Sequence, residues 1–325
     1  MRKKDLHDEF VEELTRRIPR RVDLINFMAD ILKIEKESVY RRMSGKVNIS
    51  IREMGILAEA LNISLDSLVY KDEHVQWLPF VLETPMKSHS IDSLCEIMDF
   101  NFRQIGEVTR HAQGETGNVY NSIPLEFFIH SPLMTKFMFF KWGHYFVKSE
   151  EFNNFSTWEI PERLSAILPN YNEIYNFREA FYIWDSSIVW SLAKEIDNFH
   201  RMRIITTQEK DEIKHELSSL LLKLEQTLNG THTPGIPLPS EMSFYVSSMN
   251  VGFTSGYFQS GSKHVFMFQT NFSFSMVENS PEAFARIKEW VKSLRSISTL
   301  LSQSGRIERR LFFDTQHKII EDILK

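Results

Sequence analysis

Between residues 36 and 48 the chain reads KESVYRRMSGKVN, and four of these residues are basic: Lys36, Arg41, Arg42 and Lys46. One acid, Glu37, interrupts them, while Ser38, Tyr40 and Asn48 supply further hydrogen-bonding groups. Ammonium and guanidinium groups attract phosphate, and an arginine fork also bonds two acceptors lying in one plane. A charge run of this kind is most often a solvated face. Its meaning depends on the segments that carry it.

Four short helical periods follow one another between residues 22 and 70. VDLINFMADILKI places Val22, Ile25, Met28, Ala29 and Leu32 at spacings of three and four. The next period begins near Lys36 and sets Val39 and Met43 on one face. Gly45 ends it, where a residue free to take positive φ is useful. A third starts at Ser50 with Glu53 three residues on, a capping-box pattern followed by Met54, Leu57, Ala58 and Leu61. The last, SLDSLV, follows Asn62 and offers Leu65 and Leu68 to the same core.

Together, residues 22–70 resemble a lambda-repressor-like, Cro-type helix-turn-helix domain, and the YRRMSG wording is similar to BetR-type phage-like regulators. Ala29 matches the small residue where the two motif helices cross. Leu32 and Ile34 match the apolar positions around the turn. Val39, ten positions after Ala29, matches the buried residue of the recognition helix, with Met43 completing the motif core. The sequence departs from the pattern at two places. The turn position commonly held by glycine is Lys33, tolerable if that residue takes the left-handed conformation. Arg42 stands where an apolar residue is frequent, with Met43 beside it to fill the space.

The resemblance implies an all-α domain over residues 1–72 that binds double-stranded DNA, with the 36–44 helix in the major groove. With Val39 and Met43 facing inward, Glu37, Ser38, Tyr40 and Arg41 are assigned to base edges. Arg41 suits guanine O6 and N7, and Glu37 suits the amino group of cytosine. Lys36, Arg42, Lys46 and the Asn48 amide are assigned to phosphates, which set register without reading sequence.

The rest of the chain limits what surrounds this domain. At 325 residues, 42% hydrophobic and 25% charged, it has room for two globular domains. The net charge is −5, yet residues 1–70 hold 13 Lys/Arg against 12 Asp/Glu, so any polyanion-binding face is local. The single cysteine, Cys95, excludes an internal disulfide and a cysteine zinc site; it reads as a buried small hydrophobe in a reducing compartment. The charged N-terminus has no apolar signal region, and no apolar run is long enough to span a bilayer. A cytoplasmic location without membrane contact is expected.

After a connector over 73–89, anchored by Trp77 and Phe80, residues 90–230 read as helical in period. They include PLMTKFMFFKWGHYF, whose aromatic residues read as core, and a helix capped by Thr207 and ended by Gly230. Residues 241–279 read as a three- or four-stranded antiparallel meander, and 281–324 as two helices. The expected class is therefore α+β overall, mainly α, with 90–325 an effector or oligomerisation domain. An apolar stripe of Phe284, Ile287, Val291, Leu294 and Leu301, widened by Trp290, Ile297 and Leu300, points to a homodimer. The size of this domain leaves room for a small-molecule or protein effector. No phosphate loop, dinucleotide fingerprint or metal-ligand spacing occurs, so no enzyme activity, metal or cofactor is expected. The competing reading is an antitoxin-like or phage-like interaction module whose partner is a protein.

Overall fold

The structure is a computed structural model and describes residues 5–61, 63–69, 81–83, 90–93, 95–96, 98–99, 114–147, 149–169, 178–230, 242–270, 274–278 and 281–325. The chain divides into two compact units, Met1–Phe80 and Val81–Lys325, each with its own hydrophobic core. Apart from Val81–Glu83, the connector expected over 73–89 lies outside the described residues, as do Asn62 and most of the helix expected after Ser90. Cys95 and Met98 of that helix are described, and both are buried.

In the first unit the described helices are α1 (Leu6–Arg17), α2 (Arg21–Leu32), α3 (Lys36–Met43), α4 (Ile51–Leu61) and α5 (Leu65–Val69). α1 was not foreseen from the sequence. It buries Phe10 and Leu14 one turn apart, with Val11 and Ile18 packed beside them. Pro19 follows, which disfavours helix at the preceding residue, and Ile18 has left the helical region at φ −127°, ψ 86°. The core is completed by Leu24, Ile25 and Met28 of α2, Val39 of α3, Met54, Leu57 and Ala58 of α4, and Ile63 and Leu68 beyond.

The second unit is built on an eight-stranded mixed sheet ordered β1-β7-β6-β5-β2-β3-β4-β8. Its strands are β1 (Val81–Glu83), β2 (Glu115–Tyr120), β3 (Glu179–Trp184), β4 (Met242–Val246), β5 (Thr254–Ser260), β6 (Lys263–Thr270), β7 (Phe274–Glu278) and β8 (Thr299–Leu300). Helices α6 (Leu125–Phe128), α7 (Pro132–Phe146) and α8 (Glu162–Ile167) connect β2 to β3. Helices α9 (Trp190–Arg201) and α10 (Thr207–Leu228) connect β3 to β4, and α11 (Pro281–Ser296) and α12 (Arg306–Ile323) lie on either side of β8 in sequence. β2, β3 and β4 are mutually parallel, whereas β5, β6 and β7 pair antiparallel in succession.

The fold departs from the sequence reading at three places. First, the stretch 90–230 is not uniformly helical, because β2 and β3 lie within it. AFYIW is a short apolar run whose periodicity cannot separate a buried strand from a helix. ETGNVY hides its strand character behind Gly117 and Asn118. Gly117 is required because the Phe181 and Tyr257 rings lie over it, and a Cβ there would stand 2.4 Å and 2.5 Å from them. Second, EMSFYVSSMN does not join the meander: β4 pairs parallel with β3 and antiparallel with β8. Third, the cap of α10 is Thr206, whose hydroxyl accepts from the Glu209 N–H in a complete capping box, and not Thr207.

The sheet buries both faces. Ala180, Tyr182, Trp184, Phe244, Phe258 and Val265 join the large core shared with α7, α9, α10 and α12. That core takes Phe137, Phe139 and Phe140 from the aromatic run of α7, and Trp142 of the same run is buried with its ring 6.0 Å from that of Phe146. On the opposite face Phe181, Tyr257 and Phe266 lie on facing positions of β3, β5 and β6, with the Phe284 ring of α11 5.9 Å from that of Tyr257. Lys288 and Lys292 of α11 pair with Glu115, and Arg295 with Glu179 at 3.1 Å. Phe284, Val291, Leu294 and Leu301 are buried. These four positions of the stripe expected to hold a second copy are thus spent inside the unit, whereas Trp290 and Ile297 are exposed.

One buried acid sets a pH response. Glu126 of α6 lies in this core and accepts a hydrogen bond from the Tyr120 hydroxyl at 3.0 Å. Burial pushes its carboxyl up to about 7. The folded state therefore holds this proton more tightly than the unfolded chain, and the stability it contributes is lost as pH rises from about 4.5 through 7. Glu126→Gln should flatten that loss, which is on the order of 3 kcal/mol in the wild type. Urea denaturation of both proteins at pH 5 and pH 8 measures it; parallel losses would show that Glu126 is not the group responsible.

Candidate nucleic-acid interface

α2 ends on a left-handed residue. Lys33 has φ 56° and ψ 45°, and the Ile34 N–H reaches back to the Ala29 carbonyl at 3.2 Å. This is the six-to-one bond of a Schellman end, with Ile34 packed on the core next to Ala29 and Leu32. Lysine thus takes the conformation that glycine would adopt more cheaply, and three residues separate α2 from α3. At the far end Gly45 has φ 70°, with nothing within 4 Å of where a Cβ would stand, and α3 stops there.

α3 is held from below and from its C-terminal end. Val39 is fully buried and Met43 packs on the core. Arg42 donates through Nε and Nη2 to Glu53 Oε1 at 3.1 Å and 2.7 Å, and through Nη1 to the Ser38 carbonyl at 3.2 Å. The other oxygen of Glu53 accepts the Ser50 N–H at 2.8 Å, while the Ser50 hydroxyl accepts the Glu53 N–H at 3.3 Å, so the foreseen capping box forms. One carboxylate therefore caps α4 and grips α3. The Arg42 hydrogen bonds hold it below the usual carboxylate range.

A second clamp comes from α1. The buried His7 ring accepts the Ile49 N–H at Nδ1, 3.3 Å, and donates from Nε2 to the Arg42 carbonyl at 3.0 Å. Because a carbonyl only accepts, the ring proton sits on Nε2. Sequence reasoning missed this residue, and a lone histidine in a charged N-terminal segment carries no signal of such a role.

Lys36, Glu37, Tyr40, Arg41, Lys46 and Asn48 are exposed, and Ser38 is half-buried. Arg42, expected at a phosphate, is only 18% exposed and braces α3 against α4 instead. Two unforeseen arginines join the exposed set. Arg20 and Arg21 open α2, and the Arg21 guanidinium lies 5.9 Å from the centre of the Tyr40 ring. Their signal was the RRIPRR run directly before the first apolar period. The first turns of α2 and α3 have no side-chain cap, which leaves backbone N–H groups available there. No cluster of ligands suited to a metal occurs among the described residues.

The left-handed turn gives a direct test. Lys33→Gly should stabilise the first unit by about 0.5–1 kcal/mol, because glycine removes the Cβ conflict at positive φ, and Lys33→Val should destabilise it by more. Thermal unfolding of the three proteins provides the ranking; a glycine variant less stable than the lysine parent contradicts the strain argument.

Comparison of the chain with protein-family models, with curated proteins and with solved structures finds no match.

Proposed function

We propose that the chain is a sequence-specific DNA-binding transcriptional regulator, with α2 and α3 forming a helix-turn-helix and α3 entering the major groove. One observation carries this reading. Glu37, Tyr40 and Arg41 are exposed on the outer face of an eight-residue helix whose inner face and end are fixed by Val39, Arg42 and Glu53. Arg41 then reads guanine, Glu37 accepts from cytosine, and Ser38 and Tyr40 complete the base-reading set. Lys36, Lys46 and Asn48, with Arg20 and Arg21, hold the phosphates on either side. Arg42 acts through α3 by fixing its pose.

The second unit serves as the effector and oligomerisation part of a cytoplasmic homodimer. A single small domain has too few base contacts to select a genomic site, since each base pair contributes about 1–3 kcal/mol of discrimination. Selection of bound fragments from random duplex DNA by the intact chain tests the function itself. A recovered consensus supports it, and recovery of no sequence above background overturns it.

Two substitutions separate reading from holding. Arg41→Ala should weaken the selected site by about 1–3 kcal/mol and relax preference mainly at one base position. Titration against selected and scrambled duplexes checks this; unchanged affinity for both removes Arg41 from the reading set. Lys46→Ala should weaken selected and scrambled DNA alike and lower the salt slope by about 1. A loss confined to the selected duplex would make Lys46 a base reader.

A further inference from the structure

The turn after α3 carries two polar side chains that have no partner among the described residues. Lys46 and Asn48 are exposed, and neither makes a hydrogen bond or an ion pair there. An ammonium and an amide in this position can meet an outside partner, yet an exposed turn is ordinarily the least fixed part of a chain. How well Lys46 and Asn48 are aimed therefore depends on what holds the backbone beneath them.

The first half of the turn is held by α3 itself. The Ser44 N–H donates to the Tyr40 carbonyl at 3.0 Å, the Gly45 N–H to that of Arg42 at 3.0 Å, and the Val47 N–H to that of Arg41 at 3.1 Å. The second half is held from α1. The buried His7 ring accepts the Ile49 N–H and donates to the Arg42 carbonyl, so it ties the last turn of α3 to the residue before the Ser50 cap of α4. Residues 43–48, with Lys46 and Asn48 among them, form the loop that this tie closes. A neutral imidazole suits the place because it carries one donor and one acceptor on a rigid ring. The Ile49 N–H is buried, so an apolar residue at position 7 would leave it unsatisfied, and lifting the turn into water would relieve it.

We propose that His7 is a positioning residue for phosphate contact: it acts through the turn and holds Lys46 and Asn48 where they meet the DNA backbone. The proposal rests on the reading of α3 as a DNA-binding helix. It gives a role to α1, none of whose residues is among the proposed contacts. It also sets His7 apart from Arg41 in kind. Loosening the turn costs phosphate contacts, which all sequences share, while the base-reading side chains stay held by Val39 and the Arg42–Glu53 pair.

Titration of the intact chain with selected and scrambled duplexes over a range of salt, for His7→Leu, Lys46→Ala and the double variant, tests the proposal. His7→Leu should weaken both duplexes by the same factor, lower the salt slope by about 1 and leave the ratio of the two affinities unchanged. Lys46→Ala should cost less in the His7→Leu background than in the wild type, because the lysine has already lost its place. His7→Gln, whose amide again offers one donor and one acceptor, should recover the wild-type slope. A wild-type slope in His7→Leu, or two substitutions whose effects simply add, overturns the proposal; a ring that serves only the stability of the unit gives that result.

Amide hydrogen exchange of the same proteins without DNA keeps the two ideas apart. In His7→Leu the amides of residues 44–49 should exchange at least about tenfold faster, while those of α2 and α4 keep their protection. Protection lost across the whole unit overturns the local role. A chain that binds no DNA yet shows the local pattern sinks the regulatory reading and leaves the tie standing. A chain that selects DNA while residues 44–49 stay protected in His7→Leu sinks the tie alone.

Discussion

An eight-residue helix with one fully buried side chain cannot hold its own pose. Isolated helices of that length are marginal in water, and its apolar anchorage is Val39, with the partly buried Met43 beside it. The orientation of α3 therefore depends on the Glu53 carboxylate. It takes the Arg42 guanidinium with one oxygen and caps α4 with the other, so the position of α3 is referred to α4, which is itself anchored by Met54, Leu57 and Ala58. His7 adds a third point by bonding the Arg42 carbonyl. These clamps lie behind the exposed face and at its end. That arrangement leaves Glu37, Tyr40 and Arg41 facing solvent while the backbone beneath them is fixed, which is what a rigid reading surface needs.

The second unit depends on a comparable division of labour. A mixed sheet with parallel strands at its centre must be covered on both faces. Helices α7, α9, α10 and α12 cover one face, and α11 covers part of the other. α11 is fixed by apolar contact along its inner stripe and by three cations that reach Glu115 and Glu179 at the starts of β2 and β3. Exposed ion pairs add little individually. Their effect is to set the register of the helix on the sheet, and that register turns Trp290 outward.

How much of this was legible depended on whether the deciding information was local. The apolar spacings of α3 and α4, the Ser50–Glu53 cap and the left-handed Lys33 are properties of a few adjacent residues, and each was readable. In α2 the stripe was right at Ile25 and Met28, but Val22 is exposed and Leu24 takes the core position instead. β2 was not, because ETGNVY is a strand only in the company of its neighbours. Gly117 answers to rings on β3 and β5, and Asn118 sits opposite Gly256, where a Cβ would lie 2.6 Å from its side chain. β4 had clear strand chemistry, but its partner is chosen by the crossover through α9 and α10, which no short window contains. The candidate site shows the same limit. Exposure of Arg41 followed from the helical wheel, whereas the loss of Arg42 to Glu53, eleven positions away, did not.

The exposed face also contains a charge of the wrong sign for its proposed partner. A chain of net charge −5 is repelled by DNA at long range, but at physiological salt charges act over only about 8 Å, so the face around α3 is judged by its own residues. Lys36, Arg41, Lys46, Arg20 and Arg21 favour any duplex. Glu37 opposes every one of them unless its carboxylate finds a donor, and on a base edge the cytosine amino group is that donor. On the proposed reading, scrambled sequence would leave Glu37 desolvated and unpaired beside phosphates, which costs more than the missing contact alone. An acid in this place lowers affinity for all DNA and lowers it least for the right sequence. On the proposed reading, Glu37 contributes to discrimination and not to strength, and a purely basic surface would have no use for it.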